Sequence, residues 1–219
     1  MARILVVRHG HAQGNAEHRF IGQTDVPLDD LGHRQSRALA ERLRTSPIDR
    51  IVSSDLRRAI DTITPLADAV GIEIERDPRL REISNGEWSG LLPEEIAGRW
   101  PELWAGYRAG EDVLRPSGEQ WAAVRERVVE AVREHARSGE LIVLCTHGGP
   151  ALNLALWTCG FPPGGNIFTG KLGGLANTSV TTIEIGAGDE HEARLIGFND
   201  VGHLEGPTPD SRLPFEPVK

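Results

Sequence analysis

The sequence predicts an α/β fold, a three-layer α/β/α sandwich around a mostly parallel central sheet of about six strands. Three observations carry that reading. Short apolar runs of strand length alternate with segments of helical periodicity, the pattern of a sheet covered by helices on both faces. The runs Ile4-Leu5-Val6-Val7 and Leu141-Ile142-Val143-Leu144-Cys145 are continuously apolar, as strands buried on both faces are. Each runs into a histidine and glycine, Arg8-His9-Gly10 and Thr146-His147-Gly148-Gly149-Pro150. Open α/β sheets bind ligands beyond the carboxyl ends of their strands, where both junctions fall.

The elements follow in order. Arg3–Arg8 reads as the first strand. Leu31–Ser46 has helical spacing, with Leu31, Ala38, Leu39 and Leu43 on one face. Asp49–Ser53 is a short strand. Leu56, Ala59, Ile60, Ile63, Ala67 and Val70 continue at helical spacing, and Pro65 is expected to kink or split that helix. Ile72 and Ile74 alternate with polar residues, as in a strand. Residues 83–116 are irregular and rich in Gly and Trp, with a short helix near Pro93–Arg99. Gly118–Arg137 is a helix with Trp121, Val124, Val128, Ala131 and Val132 inward. Leu141–Cys145 is a buried strand, and Pro150 opens a helix to Cys159 from its first position. Val180–Ile185 and Ala193–Phe198 are late strands. From Glu205 the chain carries four prolines and few apolar residues, so residues 1–204 are expected to form one domain and 205–219 a tail.

The chain has 219 residues and a net charge of -8, with a pI near 5.5. That balance argues against nonspecific nucleic-acid binding and against an anionic membrane surface. A site for phosphate must then be a local positive patch. Of the 24 basic residues only Lys171 and Lys219 are lysines. Arginine suits bidentate phosphate recognition, but codon usage explains the ratio equally well. Two cysteines do not frame a disulfide-rich fold, and Cys145 is expected to be a buried thiol. The chain starts on a strand without an apolar leader, and no apolar run is long enough to span a bilayer. A cytoplasmic location is the expectation.

Four motifs stand in sequence order. Arg8-His9-Gly10, Asn15, Gly22-Gln23-Thr24-Asp25-Val26-Pro27-Leu28 and Leu31-Gly32 make the first. Ser53-Ser54-Asp55-Leu56-Arg57-Arg58-Ala59 is the second. Leu80-Arg81-Glu82-Ile83 with Gly86-Glu87-Trp88-Ser89-Gly90-Leu91 is the third, and Thr146-His147-Gly148-Gly149 the fourth. Together they resemble the histidine phosphatase superfamily, which includes the cofactor-dependent phosphoglycerate mutases. Asn199-Asp200 with His203-Leu204 is similar to a late segment of many members. The resemblance spans about residues 3 to 204.

Phosphoryl transfer needs a nucleophile in line with the leaving oxygen and cations around the equatorial oxygens. His9 is the nucleophile if one ring nitrogen is unprotonated. Nearby arginines disfavour imidazolium, and an acceptor, such as a backbone carbonyl, would fix its tautomer. Arg8 and Arg58 would grip phosphoryl oxygens through guanidinium forks. The resemblance selects Arg58 over Arg57, whose expected place is the solvated surface. It also assigns His147 to phosphate binding, with the Gly148 amide beside it at a helix N-terminus. Asn15 is a further donor, or else an ordinary polar loop residue. Glu82 matches the family's proton donor, a role that needs a pKa raised by partial burial and nearby anionic substrate. Glu87 is its rival, and a salt bridge of Glu82 to Arg79 or Arg81 is the structural alternative. His9 and His11 form an H-x-H pair, but no carboxylate or Cys cluster completes a metal site. No metal or cofactor is expected. His11 departs from the family, which usually has Glu, Gln or another polar residue there.

Mutases of the family, as the resemblance implies, carry a longer basic insertion after the third motif. Here residues 92–117 are short, with Trp100, Trp104 and Tyr107 and only Arg99, Arg108 and Arg115 as cations. The expectation is hydrolysis of a small phosphorylated metabolite through phosphohistidine on His9. A phosphoglycerate mutase-type phosphotransferase is the alternative, and an inactive phospholigand-binding or partner-binding member the second. The three aromatics line an organic pocket or form the segment's own core; the core is the favoured reading. A homodimer is compatible with the chain but nothing in it requires one.

Overall fold

The protein is described by a computed structural model covering residues 1–13, 19–136, 140–167, 172–186 and 193–204. Six strands are β1 (Ala2–Arg8), β2 (Arg50–Ser53), β3 (Ile74–Arg76), β4 (Leu141–Thr146), β5 (Val180–Ile185) and β6 (Ala193–Asp200). The helices are α1 (Asp30–Leu43), α2 (Arg57–Val70), α3 (Pro93–Arg99), α4 (Pro101–Arg108), α5 (Trp121–His135) and α6 (Gly148–Thr158). The sheet order is β3-β2-β4-β1-β5-β6. β1 to β4 run parallel, β5 is antiparallel to β1, and β6 is antiparallel to β5. The expected mostly parallel six-stranded sheet is what forms.

Strand residues alternate between two cores, as the two-residue period requires. Val7, Ile51, Val143, Cys145 and Val180 pack under α1 and α2, against Leu39, Leu43, Ala59, Ile63 and Leu66. Ile4, Val6, Val52, Ile142, Leu144 and Ile183 face the other way, against Val124, Val128 and Val132 of α5 and Leu152 and Leu156 of α6. Every residue of α6 from Gly149 to Leu156 is buried, which explains a helix that is apolar all round. The third core lies outside the sandwich. Trp88, Ile96, Tyr107 and Val113 gather Phe20, Trp100 and Trp104 around them. The three aromatics of the 92–117 segment therefore pack into a core, as the favoured reading had it.

Several expectations need correction. α2 runs through Pro65 without a break. Proline removes the N–H that would bond the Asp61 carbonyl. Ser36 of α1 replaces it, donating to the carbonyls of Asp61 and Thr62 at 3.3 and 2.7 Å. The 83–116 stretch holds a second helix, α4, which Pro101 opens at its first turn. α1 ends at Leu43 rather than Ser46, and its inner face includes Gln35 and Ser36, while Leu31 and Ala38 are only partly covered. α6 begins two residues before Pro150, and β6 continues to Asp200. The proline-rich 205–219 segment lies outside the described residues. Among the described residues no helix is long and apolar enough to cross a membrane.

The Ser36 hydroxyl is buried, so its loss leaves a helix carbonyl without a donor. Ser36→Ala should lower unfolding free energy by about 1–3 kcal/mol, read from urea melts. An unchanged midpoint would show that Pro65 is accommodated some other way.

Candidate active site

The register of β1 and β4 pairs Arg8 with Thr146, and the His9 N–H donates to the Thr146 carbonyl at 2.9 Å. The next residue on each strand is a histidine. Their imidazoles therefore meet edge to face, with centroids 5.1 Å apart, and both are buried. His9 Nδ1 lies 2.7 Å from the Gly10 carbonyl oxygen. A carbonyl only accepts, so the proton sits on Nδ1 and Nε2 keeps its lone pair. His147 takes the opposite tautomer. Its Nδ1 accepts from Arg58 Nε at 3.2 Å, and its Nε2–H donates to Ser54 Oγ at 2.9 Å.

Two guanidiniums close on the pair. Arg58 leaves the first turn of α2 and is 2% exposed, while Arg8 ends β1 at 9%. Arg58 Nη1 and Nη2 donate to the carbonyls of Thr24 and Gly22 at 2.8 and 2.7 Å. Arg8 Nη1 donates to the Leu175 carbonyl, and its buried Nε has no hydrogen-bond partner among the described residues. Burial pushes each arginine down to about 10, opposed by the charge of Glu82. Both remain cations at neutral pH. Burial first, then the two arginines, holds His9 well below the usual imidazole range. His147 is held down the same way, with His9 contributing.

Glu82 supplies the carboxyl group. Its oxygens accept from the N–H of Ile83 at 2.9 Å and of Gly149 at 3.1 Å. Its own carbonyl is fixed by Gln23 Nε2 at 2.9 Å and Arg127 Nη2 at 3.0 Å. A Cβ on residue 149 would stand 2.4 Å from Glu82 Oε1 and 2.4 Å from the Trp121 ring, so glycine is required there. Neither arginine named as a salt-bridge partner for Glu82 spends its fork on it. Arg81 forks onto Asp55 at 2.7 and 2.5 Å, and Arg79 binds Asp77 and Glu134. Glu87 is exposed and faces Ser117.

Gly148 opens α6 beside Arg8, where a Cβ would come 3.4 Å from Arg8 Nε. Arg57 is solvent-exposed and pairs with Asp61 at 3.3 Å. Asn15 lies outside the described residues. His11 Nδ1 meets Asp29 Oδ2 at 2.5 Å. Burial opposes the ionisation of Asp29, yet hydrogen bonds from the Gly32 N–H and His11 hold its carboxyl below the usual range. Asp29 caps α1 through the same Gly32 N–H.

The sequence profile of the histidine phosphatase superfamily (branch 1) matches residues 4–199. The chain belongs to this superfamily. It is 34% identical over 210 residues to phosphoglycerate mutase-like protein 4 of Arabidopsis thaliana, covering 93% of this chain and 87% of that protein. It is 35% identical to the glucosyl-3-phosphoglycerate phosphatase of Mycolicibacterium vanbaalenii, over 81% of each chain. A mycobacterial glucosyl-3-phosphoglycerate phosphatase solved with inorganic phosphate superposes with a TM-score of 0.79 at 30% identity, covering 92% of this chain and 99% of that one.

In this superfamily member several supporting residues escaped the sequence reading. Ser54 orients His147 and stands in the second motif, which was noted without a role for it. Thr62 sits one helical turn after Arg58; its hydroxyl donates to the Arg58 carbonyl at 2.6 Å and accepts from the Gly10 N–H at 2.8 Å. That spacing was readable. Arg127 on α5 binds the carbonyls of Arg79, Arg81 and Glu82 and the carboxylate of Glu119. Nothing local in its sequence marks it.

Two outcomes follow. In the unfolded chain the His9 and His147 rings protonate below about 6.5, whereas the folded chain holds them neutral. The unfolded state then binds more protons, so stability falls as pH drops below 6.5, by about 1.4 kcal/mol per pH unit for each ring still neutral. Urea midpoints at pH 7 and pH 5.5 should differ in that direction; equal midpoints contradict the neutral pair. Gly149→Ala should displace Glu82 or Trp121 and cost about 1–3 kcal/mol in the same assay.

Proposed function

We propose that this chain is a phosphomonoester hydrolase that works through a phosphohistidine on His9, and that residues 1–204 are its catalytic unit. The observation that carries the reading is the His9 ring. It is neutral, its proton is pinned on Nδ1, and its free Nε2 sits among two buried cations, Arg8 facing the charge of Glu82 and Arg58 the charges of Glu82 and Asp25. A buried positive site of this kind favours an anionic ligand.

The steps follow from the geometry. The phosphoryl group takes its place against Arg8, Arg58, His147 and the start of α6 at Gly148, with Asn15 as a further donor. The Nε2 lone pair of His9 attacks phosphorus, and the bond to the ester oxygen breaks. Glu82 gives that oxygen its proton, so an alcohol leaves. The phosphate dianion lies beside Glu82, and neighbouring negative charge favours the acid form of a carboxyl group. In the second half, the Glu82 carboxylate takes a proton from water as its oxygen attacks phosphorus. The N–P bond breaks, inorganic phosphate departs, and His9 recovers its lone pair. In the free protein His147 Nδ1 accepts from Arg58 Nε and its Nε2–H donates to Ser54 Oγ, so it fixes Arg58 and lines the pocket.

The substrate is a small phosphorylated metabolite. The mycobacterial relatives are named for glucosyl-3-phosphoglycerate. The mutase alternative rests on the plant relative's name. The 92–117 segment packs its aromatics on one another and its Arg115 into their midst, which leaves it little cationic surface for guarding a phosphoenzyme against water.

A phosphate-release screen over sugar phosphates, phosphoglycerates, phosphoamino acids and nucleotides should find steady turnover. His9→Ala should abolish it, and Glu82→Gln should lower kcat by about 10²–10⁴-fold. Hydrolysis by His9→Ala at the wild-type rate would refute the mechanism. Interconversion of phosphoglycerates without net phosphate release would favour the mutase.

A further inference from the structure

The late segment Asn199-Asp200…His203 is not used by the chemistry above, yet it reaches the nucleophile. Asp200 ends β6 and forms an ion pair with Arg42 of α1. Arg42 Nη1 also donates to His203 Nδ1 at 3.2 Å. An accepting Nδ1 puts the His203 proton on Nε2, which donates to Thr178 Oγ1 at 3.2 Å. The Thr178 hydroxyl in turn donates to the Asn177 carbonyl at 2.7 Å, and Asn177 Nδ2 donates to the His9 carbonyl at 2.9 Å. Every donor points the same way, from α1 toward His9. Burial, then Arg42, pushes His203 down to about 4, so the accepting nitrogen stays available at neutral pH.

The end of this chain of bonds is a tight grip. The Thr178 N–H donates to the carbonyl of Arg8 at 2.9 Å and of His9 at 3.3 Å. The Leu175 carbonyl, three residues earlier, holds the Arg8 guanidinium. Asn199 Oδ1 accepts from the Ala176 N–H at 2.7 Å. Thr178 has φ +56°, a left-handed conformation that a β-branched residue adopts only when its surroundings impose it. The bonds from His203 and Asn199 and those made by Asn177 and Thr178 themselves impose it here.

Resting on the phosphohistidine reading, we propose that Arg42, His203, Thr178 and Asn177 form a directional hydrogen-bond relay that positions His9 and Arg8 for phosphoryl transfer. His203 and Thr178 are positioning residues: neither meets the reacting atoms, and each acts through the 175–178 turn on the backbone that carries the nucleophile.

The relay is tested by two substitutions that split the imidazole's functions. Glutamine places its amide nitrogen near the site of Nε2 and keeps the bond to Thr178. Asparagine reaches only the Nδ1 position and loses it. With p-nitrophenyl phosphate at saturation, rapid quench measures phosphohistidine formation while thermal unfolding is followed in parallel. His203→Asn should slow formation about tenfold or more, as expected for a slightly misplaced reacting group, with KM little changed. His203→Gln should stay within about twofold of wild type. Equal rates for the two variants would overturn the relay, since a merely structural histidine would show matched losses of thermal stability instead. If His203→Asn does not fold, Thr178→Ala against Thr178→Ser repeats the comparison, and equal rates again overturn it. Absence of any phosphohistidine in the wild-type protein would overturn the functional reading, and the relay with it; a wild-type burst with matched variants overturns the relay alone.

Discussion

Two guanidiniums held out of water around the shared charge of Glu82 are the constraint on which the rest of the site depends. A buried cation without a counter-ion is costly, and the cost is met by hydrogen bonds and by an anion from outside. Arg58 is satisfied by the carbonyls of Gly22 and Thr24 and by His147. Arg8 is satisfied less completely, its buried Nε having no partner among the described residues. Burial first, and then the same charges, keep both imidazoles neutral. Recognition of the anion and activation of the nucleophile are thus one electrostatic fact seen from two sides.

That arrangement needs a frame, and the sheet supplies it through register. Pairing Arg8 with Thr146 makes the meeting of His9 and His147 a consequence of strand pairing rather than of loop placement. Around this, α2 delivers Arg58 and Thr62 from one side, while α6 delivers the Gly149 amide to Glu82 from the other. Sites carried at strand and helix ends hold their geometry better than sites on long loops. The 175–178 turn is an irregular support under both His9 and Arg8, which is why its tether to β6 and α1 matters.

Much of this was legible in the sequence because the strongest signals were local. The two apolar runs ending in His-Gly gave both strands and both histidines, and the ordered motifs picked out Arg8, Arg58, Glu82 and Gly148. What stayed hidden depends on contacts between distant segments. Continuity of α2 through Pro65 depends on a hydroxyl from α1, and a local rule about proline has no access to it. α4 was missed because Pro101 follows α3 directly and reads as a break, although proline is at ease in a first helical turn. Arg127 lies in a segment whose local pattern is ordinary, and only its hydrogen bonds to carbonyls near the site give it a role; His203 stood in the late segment similar to many family members, but only its hydrogen bonds to Arg42 and Thr178 say what it holds.

The most direct test of this account is the state of the two rings themselves. In the free protein with ¹⁵N-labelled histidine, NMR reads the tautomer and charge of each imidazole across a pH titration from 8 to 5. The electrostatic frame requires His9 to be neutral with its proton on Nδ1, and His147 neutral with its proton on Nε2, both unchanged across that range. A His9 ring that protonates near its ordinary value, or carries its proton on Nε2, would contradict the account.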